Sequence, residues 1–376
     1  MSMPKTVSQE NKTYANLITC AREICDRRMQ SKIDYVQADI IIIALCAVLA
    51  GANGFVDISQ YGNERKRWLN EYFAISGPIP SHDTFNRVFG LINPRNFTQS
   101  MLKWLKSLFP ESKQINIDAK ILRGYRSNYP LSILRAWSCE TKSILEQIRV
   151  PYGTNEIVAI PMLLDLIDVT DKIVTIDAID AQKGIIKKIA DKRGDYLISL
   201  KANQHTFFKD ISLYMDSIAN NELANVPHTY YETSDYGHGR IEKRCCWSTE
   251  DISWLEQRTK WKKLRSLSII KTTVTRDGKQ TTNKRYFISS LEGCALLILG
   301  VAREHWSIEN QLHWHLDVTF DEDKSITRGT FVTQNLSFLR AIAISLLGLL
   351  PSEKGFKRKR QMLNRRPSMI RKTLLL

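Results

Sequence analysis

Two stretches of the sequence decide the fold: Gln114-Ile-Asn-Ile-Asp118 and Lys172-Ile-Val-Thr-Ile-Asp177. Each is a short apolar run with the character of a β-strand, and each ends on an aspartate. The neighbouring patterns predict strands at 131–138, 143–150 and 195–201, and helices at 155–166 and 182–192. This order of elements predicts an α/β protein with a mixed sheet, in which an antiparallel meander joins parallel strands connected by helices.

The two aspartates are candidate functional residues because of where they end their strands. The carboxyl end of a strand is where α/β sheets place their ligands. One such acid is weak support, since solvated acids are common at strand ends. Asp118 and Asp177 close two strands that can be neighbours in one sheet, which favours a shared role. Mg²⁺ takes carboxylate oxygens as ligands, so the pair predicts a divalent-cation site.

A third acid, Glu309, lies within a helical pattern that runs from Arg303 to Trp314. The helical repeat places His305 and His313 on the face that carries Glu309. Three acids around two metal ions suit in-line attack on a phosphodiester. Two other interpretations stay open. Glu309 can be a salt-bridged structural residue, and the histidines can bind a transition metal, although H-x₃-E-x₃-H is not the H-E-x-x-H spacing of zinc proteases.

The remaining sequence divides by composition and pattern into further segments. Residues 1–110 predict a helical N-terminal domain, which is either a DNA-binding helix-turn-helix or a plain helical bundle. Residues 111–204 form the first part of the core, and 205–289 predict a β-rich insertion with a hairpin turn at Asp277-Gly278. Residues 290–350 complete the core with the Glu309 helix. Residues 351–376 predict a basic tail, either solvated or bound to phosphate.

Charge and cysteine content restrict the partners and the compartment. The sequence has 54 Lys and Arg against 39 Asp and Glu, a formal net charge of +15. Such a surplus favours nucleic acid, because Lys and Arg release counterions from phosphates; membranes and ribosomes are the alternative partners. The longest apolar run, residues 40–52, is shorter than the roughly 20 residues that span a bilayer and predicts a buried helix. Seven scattered cysteines without a CxxC pair indicate the reducing cytoplasm and no zinc site.

At these residues the chain resembles the H-repeat-associated transposases of bacterial insertion sequences, a DDE family. The resemblance spans most of the chain, and its ordered series of motifs is specific although each motif alone is weak. The matching stretches are Leu45–Gly51, Ile79–Arg87, Asn155–Pro161, Thr175–Lys183, Gly194–Tyr196, His238–Glu242 and the Glu309 helix with Leu316–Val318. The resemblance implies an RNase H-like core interrupted by a β-rich insertion. It also implies that Asp118, Asp177 and Glu309 are the catalytic ligands of two Mg²⁺ or Mn²⁺ ions.

The resemblance further implies a reaction and its partners. Hydrolysis of phosphodiesters at the ends of a mobile element is followed by attack of the freed 3′-hydroxyl on target DNA. The partners are double-stranded DNA, as terminal inverted repeats and as target, and a second copy of the chain in a dimer on DNA. Two alternatives remain: a metal-dependent nuclease that never joins strands, and a non-catalytic DNA-binding descendant of a transposase.

Secondary site residues follow from position and resemblance. The predicted DNA contacts are Lys120, Lys201 and Arg303 near the metal ions, and His238 and Arg240 in the insertion. Asp317, which is about 80° around a helix from Glu309, is the second choice for the third acid.

Two positions depart from the family pattern. Ala119 replaces the glycine that usually follows the first aspartate, and Ala202 replaces the glycine of K-G-N-Q. Since alanine restricts φ and adds a methyl group, reduced activity is expected.

Overall fold

The computed structural model describes residues 17–29, 31, 33–125, 130–177, 182–201, 205–237 and 239–375. The chain divides into two compact units. The first comprises Met1–Glu111, Ala119–Val150 and Glu309–Leu376, and the second comprises Ser112–Asp118 and Pro151–Ile308. Asp118 is thus the last residue of a segment of the second unit, and Glu309 is the first residue of a segment of the first.

The helices and strands have the following bounds. The helices of the first unit are α1 (Gln37–Ala50), α2 (Phe55–Glu64), α3 (Lys66–Phe73), α4 (His82–Leu91), α5 (Pro94–Lys106), α10 (Trp314–Val318), α11 (Thr330–Leu349), α12 (Phe356–Arg365) and α13 (Pro367–Leu375). Those of the second unit are α6 (Glu156–Leu164), α7 (Lys183–Asp191), α8 (His205–Ala219) and α9 (Ala295–His305). The strands are β1 (Gln114–Ile121), β2 (Ser132–Ser138), β3 (Ser143–Arg149), β4 (Ile173–Ile176), β5 (Asp195–Leu200), β6 (Thr229–Gly237), β7 (Arg240–Thr249), β8 (Ser266–Arg276) and β9 (Lys279–Ser289). A π-helix spans Ile308–His313.

The second unit contains a mixed sheet with the strand order β1-β4-β5-β9-β8-β7-β6. Strands β1, β4 and β5 are parallel, which requires helical crossovers such as α7 between β4 and β5. Strand β9 pairs antiparallel with β5, and β8, β7 and β6 follow as antiparallel neighbours. The strands of the predicted insertion therefore extend the core sheet. The predicted α/β class with a mixed sheet is confirmed.

The turn between β8 and β9 is the one that the sequence predicts. Asp277 and Gly278 have φ values of 50° and 74°, and the flanking residues Arg276 and Lys279 are paired. Two central residues with positive φ give the turn whose twist matches an antiparallel pair, and Asp-Gly is a preferred sequence for it. This turn fixes the register of the hairpin.

The first unit is built on two apolar helices, α1 and α11. Ile40 to Ala50 are all buried in α1, so the prediction of a buried helix in this run is confirmed. By length and composition α11 is apolar enough to cross a membrane, but 89% of its most apolar stretch is buried inside the protein, as is usual for a core helix. Strands β2 and β3 pair antiparallel and bond to α11, where the Ser345 hydroxyl accepts from the Ile144 amide at 3.0 Å.

The basic C-terminal segment differs from its prediction as a solvated or phosphate-binding tail. It forms α12 and α13, and Lys359 and Arg360 are each only 5% exposed. Lys359 donates to the Leu347 and Leu350 carbonyls at 2.9 and 3.1 Å, at the end of α11. The prediction is wrong for these two side chains because free helix-end carbonyls attract cations, and a run of charges in the sequence does not reveal such partners.

Candidate active site

The two predicted aspartates lie side by side on β1 and just after β4. Asp177 follows the last residue of β4, as predicted, but β1 continues to Ile121, so the prediction that Asp118 ends its strand is wrong. The parallel register pairs Asn116 with Thr175 and Ile117 with Ile176. The next residues in this register are Asp118 and Asp177. Neighbouring strands are about 4.8 Å apart, so the backbone brings the two carboxylates into one place although 58 residues separate them in the chain.

A third carboxylate, Glu156, is close enough to both aspartates for their charges to affect its pKa. It lies in the first turn of α6 and is half-buried. Burial raises the pKa of the Glu156 carboxyl, and the negative charges of Asp118 and Asp177 raise it further. Like charges this close disfavour ionisation of one of the group, and such an arrangement has the donor chemistry that a hard divalent cation fits.

Glu156→Gln is expected to raise thermal stability at neutral pH in the presence of a chelator. A carboxyl whose pKa is raised in the folded state contributes stability below about pH 4.5, its ordinary value, and that contribution is lost as pH rises through the raised pKa. The gain in melting temperature over the wild type should therefore be larger at pH 7 than at pH 4. The exposed Glu353→Gln is the control, and an equal gain at both pH values would contradict the prediction.

A buried polar network lies on the strands just before the two aspartates. The Thr175 hydroxyl donates to Asn116 Oδ1 at 2.7 Å and lies 2.8 Å from His305 Nδ1. Asn116 and Thr175 each precede an aspartate by two residues, so they share its face of the strand. The network therefore connects both acid-bearing strands to the end of α9.

These hydrogen bonds fix the tautomer of His305. The Asn116 amide nitrogen donates to the Glu304 carbonyl, which can only accept, so Asn116 Oδ1 must face Thr175. The Thr175 hydroxyl therefore donates its one proton to Asn116 Oδ1. Its hydrogen bond with His305 must then be one that it accepts, so His305 Nδ1 carries a proton. Burial lowers the pKa of His305, although Asp118 and Asp177 act to raise it. Neutral His305 then carries its lone pair on Nε2.

Glu309 is exposed and is the second residue of the π-helix that follows α9. Single π-turns are rare and frequently mark functional sites. Among the residues that the structure describes, no group of three or more His, Cys, Asp or Glu side chains is already gathered to hold a metal ion. The fit of a divalent cation therefore rests on the adjacent Asp118 and Asp177, their effect on Glu156, and the all-oxygen chemistry of these acids.

Lys120 was predicted to contact DNA phosphates, but in the structure its partners are carboxylates. Its ammonium nitrogen lies 2.7 Å from Asp317, 3.1 Å from Asp323 and 3.7 Å from Glu322, and its side chain is 8% exposed. Burial raises the pKa of Asp317 although Lys120 acts to lower it. The charge of Asp317 is therefore already balanced by a buried cation inside the protein.

The other predicted DNA contacts are surface residues of the second unit. Lys201 lies 3.5 Å from Asp177. Arg303 lies 3.0 Å from Asp235 of β6, and Arg240 lies 3.2 Å from Glu242. His238 falls outside the described residues. Lys201 is thus the predicted contact that the structure places beside an acid of the site.

Sequence reasoning missed the supporting residues Asn116, Thr175 and Glu156. A signal was present for the first two, because each is a polar residue two positions before an aspartate in an otherwise apolar strand. Glu156 belongs to the stretch Asn155–Pro161, which matches the family without an assigned role. A carboxylate at a helix start is too common to single out without its neighbours.

Comparison with known proteins identifies the family to which the chain belongs. Residues 129–346 match the family described as "Transposase DDE domain", and residues 18–105 match the family described as "DDE_Tnp_1-associated". The first match covers more than half of the chain. The protein therefore belongs to the DDE transposase family, whose function implies binding to DNA.

The relatives give a more specific resemblance. The chain is 32% identical over 347 residues to the H repeat-associated putative transposase YhhI of Escherichia coli K12, covering 89% of this chain and 90% of that protein. It is 32% identical over 353 residues to the putative transposase YncI of Escherichia coli O157:H7, covering 90% and 89%. An uncharacterized protein in the dhlA 3′ region of Xanthobacter autotrophicus is 36% identical over 259 residues, 67% of this chain and 86% of that protein. The predicted resemblance to H-repeat-associated transposases is confirmed.

Proposed function

We propose that this chain is the transposase of an insertion sequence and that Asp118, Asp177 and Glu309 are its catalytic metal ligands. The observation that carries the proposal is the register of β1 and β4, which sets Asp118 beside Asp177. Two Mg²⁺ or Mn²⁺ ions at these carboxylates would supply an activated attacking oxygen and a stabilised leaving oxygen. The reaction is hydrolysis at the element ends, followed by transfer of the 3′-hydroxyl into target DNA.

The residues of the chain bind and orient the reactants in this scheme. Asp118 offers a carboxylate from within β1, Asp177 one from the end of β4, and Glu309 one from the first turn of the π-helix. Such carboxylates need neutralisation when no cation is bound, and Lys201 beside Asp177 provides part of it. In the complex, Lys201 is released to hold a DNA phosphate.

DNA-end binding is assigned to the second unit and its exposed hairpins. Arg240 and Arg303 are surface cations whose present partners, Glu242 and Asp235, are exchanged for phosphates on binding. His238 is proposed as a further contact on the resemblance alone. For Lys120, whose own side chain is buried, the carboxylate partners favour a structural role over the phosphate contact. The net charge of +15 suits a polyanion, and two chains acting together on two DNA ends form the proposed dimer.

The proposal is tested with DNA that carries the inverted repeats flanking the gene. The purified protein is incubated with this DNA and a target plasmid in Mg²⁺, Mn²⁺ or Ca²⁺. We expect cleavage at the repeat ends and joined products in Mg²⁺ or Mn²⁺ only. Cleavage without joined products would indicate a nuclease, and binding without cleavage in any metal would indicate a non-catalytic descendant.

A further inference from the structure

We propose that Asn116 is a positioning residue that sets the place of the third acid, Glu309. This inference rests on the proposed function, since it assumes that Glu309 acts with Asp118 and Asp177. Asn116 precedes Asp118 by two residues on β1, and its side chain reaches the segment that immediately precedes Glu309. It therefore connects one acid to the chain that carries another.

The side chain of Asn116 is a fully used hydrogen-bonding hub. Asn116 is 0% exposed. Its oxygen accepts from Gln114 Nε2 at 2.8 Å and from Thr175 at 2.7 Å. Its nitrogen donates to the Glu304 carbonyl at 2.8 Å and to the Ser307 hydroxyl at 3.1 Å. An amide offers two acceptor positions and two donor protons, so every capacity of this side chain is satisfied inside the protein.

The two donated bonds fall where the helix changes its path. Helix α9 ends at His305, and the π-helix begins at Ile308. Glu304 and Ser307 flank this change, and Glu309 follows Ser307 by two residues. With the amide of Asn116 holding both flanking residues, the direction in which the chain enters the π-helix is set from β1. Gln114 adds a second tie, because its Nε2 also donates to the Val301 carbonyl of α9 at 3.0 Å.

The two accepted bonds give the hub its link to the other aspartate. Thr175 precedes Asp177 by two residues on β4, and its hydroxyl joins Asn116 to His305. Asn116 belongs to the strand that carries Asp118. Its side chain bonds to the strand before Asp177 and to the helical segment before Glu309. Substituting a residue that orients metal ligands without binding the metal itself typically lowers metal affinity or activity by about 10–100-fold.

The test replaces Asn116 by leucine, which has a similar volume and adds no charge. Asn116→Leu should lower kcat for cleavage by about 10–100-fold, leave KM for DNA unchanged, and raise the Mn²⁺ concentration that gives half-maximal cleavage. Mn²⁺ binding without DNA, followed by the electron paramagnetic resonance of free Mn²⁺, should weaken in parallel. Ser307→Ala removes one acceptor and should shift both Mn²⁺ measurements in the same direction by a smaller factor.

The matched control is Asn335→Leu on α11. Asn335 is also a buried amide, 1% exposed, and it donates to the Phe89 and Ile92 carbonyls at 2.8 and 2.9 Å. The Asn335→Leu variant should lose thermal stability, while the Mn²⁺ concentration for half-maximal cleavage stays unchanged.

The results separate this inference from the function on which it rests. If the wild type cleaves but folded Asn116→Leu and Ser307→Ala keep its Mn²⁺ dependence, the positioning role is overturned and the function stands. If a purely structural role applied, Asn116→Leu would behave as Asn335→Leu does. If the wild type neither binds Mn²⁺ nor cleaves, the proposed function fails and this inference fails with it.

Discussion

Asp177→Asn is expected to lose metal-dependent cleavage by at least about 10³-fold, the upper end of the cost of removing one preorganised electrostatic group. The reason is that an amide keeps the shape of the carboxylate but removes the negative charge that binds a divalent cation. Asp118→Asn should have an effect of the same size, because the register of β1 and β4 places the two acids in equivalent positions. The loss should appear in kcat, since the proposed role of these acids is to act on the reacting phosphodiester.

Folding and DNA affinity should survive both substitutions. Asp118 and Asp177 both raise the pKa of Glu156, so removing either charge relieves repulsion, and the melting temperature in a chelator should stay constant or rise. DNA affinity in Ca²⁺ separates binding from catalysis. The control is Asp165→Asn, which removes a surface acid that pairs with Lys188 at 2.6 Å. If Asp177→Asn cleaves as fast as this control, the proposed site is wrong.

Arg360→Ala should destabilise the protein by about 3–5 kcal/mol, because several buried acceptors lose their donor at about 1–3 kcal/mol each. The Arg360 guanidinium donates to the carbonyls of Val48, Ala52 and Thr319 and to Asn53 Oδ1. It also lies 4.1 Å from the centre of the Phe320 ring. Buried carbonyls that lose their donor keep the full cost of desolvation.

Urea denaturation followed by circular dichroism measures this loss. Arg358→Ala, an exposed arginine in the same helix, is the control and should change stability by less than about 0.5 kcal/mol. Arg360→Lys should recover only part of the stability, because an ammonium lacks the planar fork that reaches several acceptors. A near-neutral Arg360→Ala would show that α12 is not anchored through this side chain.

The sequence predicted the strands and helices around the aspartates closely. Alternation and β-branched residues indicated strands at 114–118 and 172–177, and the structure has them at Gln114–Ile121 and Ile173–Ile176. Helical spacing indicated 182–192, and α7 spans Lys183–Asp191. These predictions succeeded because local periodicity reports which face of an element is buried.

The sequence was least informative about cations. Lys120 was predicted to hold phosphate, and its nearest partners are three carboxylates. Arg360 belonged to a predicted tail, and it lies inside the first unit against helix-end carbonyls. A lysine or arginine carries the same charge whether it is exposed and free to bind phosphate or buried with partners inside the protein. Partners from distant segments decide the setting: Asp323 is 203 residues from Lys120, and Val48 is 312 residues from Arg360.

The sequence by itself determined that this is an α/β protein with two aspartates on apolar strand segments, a helix-borne glutamate and a surplus of positive charge, because composition and periodicity are local properties. The tertiary structure decided which polar groups meet. The parallel register set Asp118 beside Asp177, and the packing of α9 on the strands made Asn116 a hub that also fixes the tautomer of His305. Hydrogen bonds between distant segments depend on distance and direction in space, and no spacing along the chain contains that information.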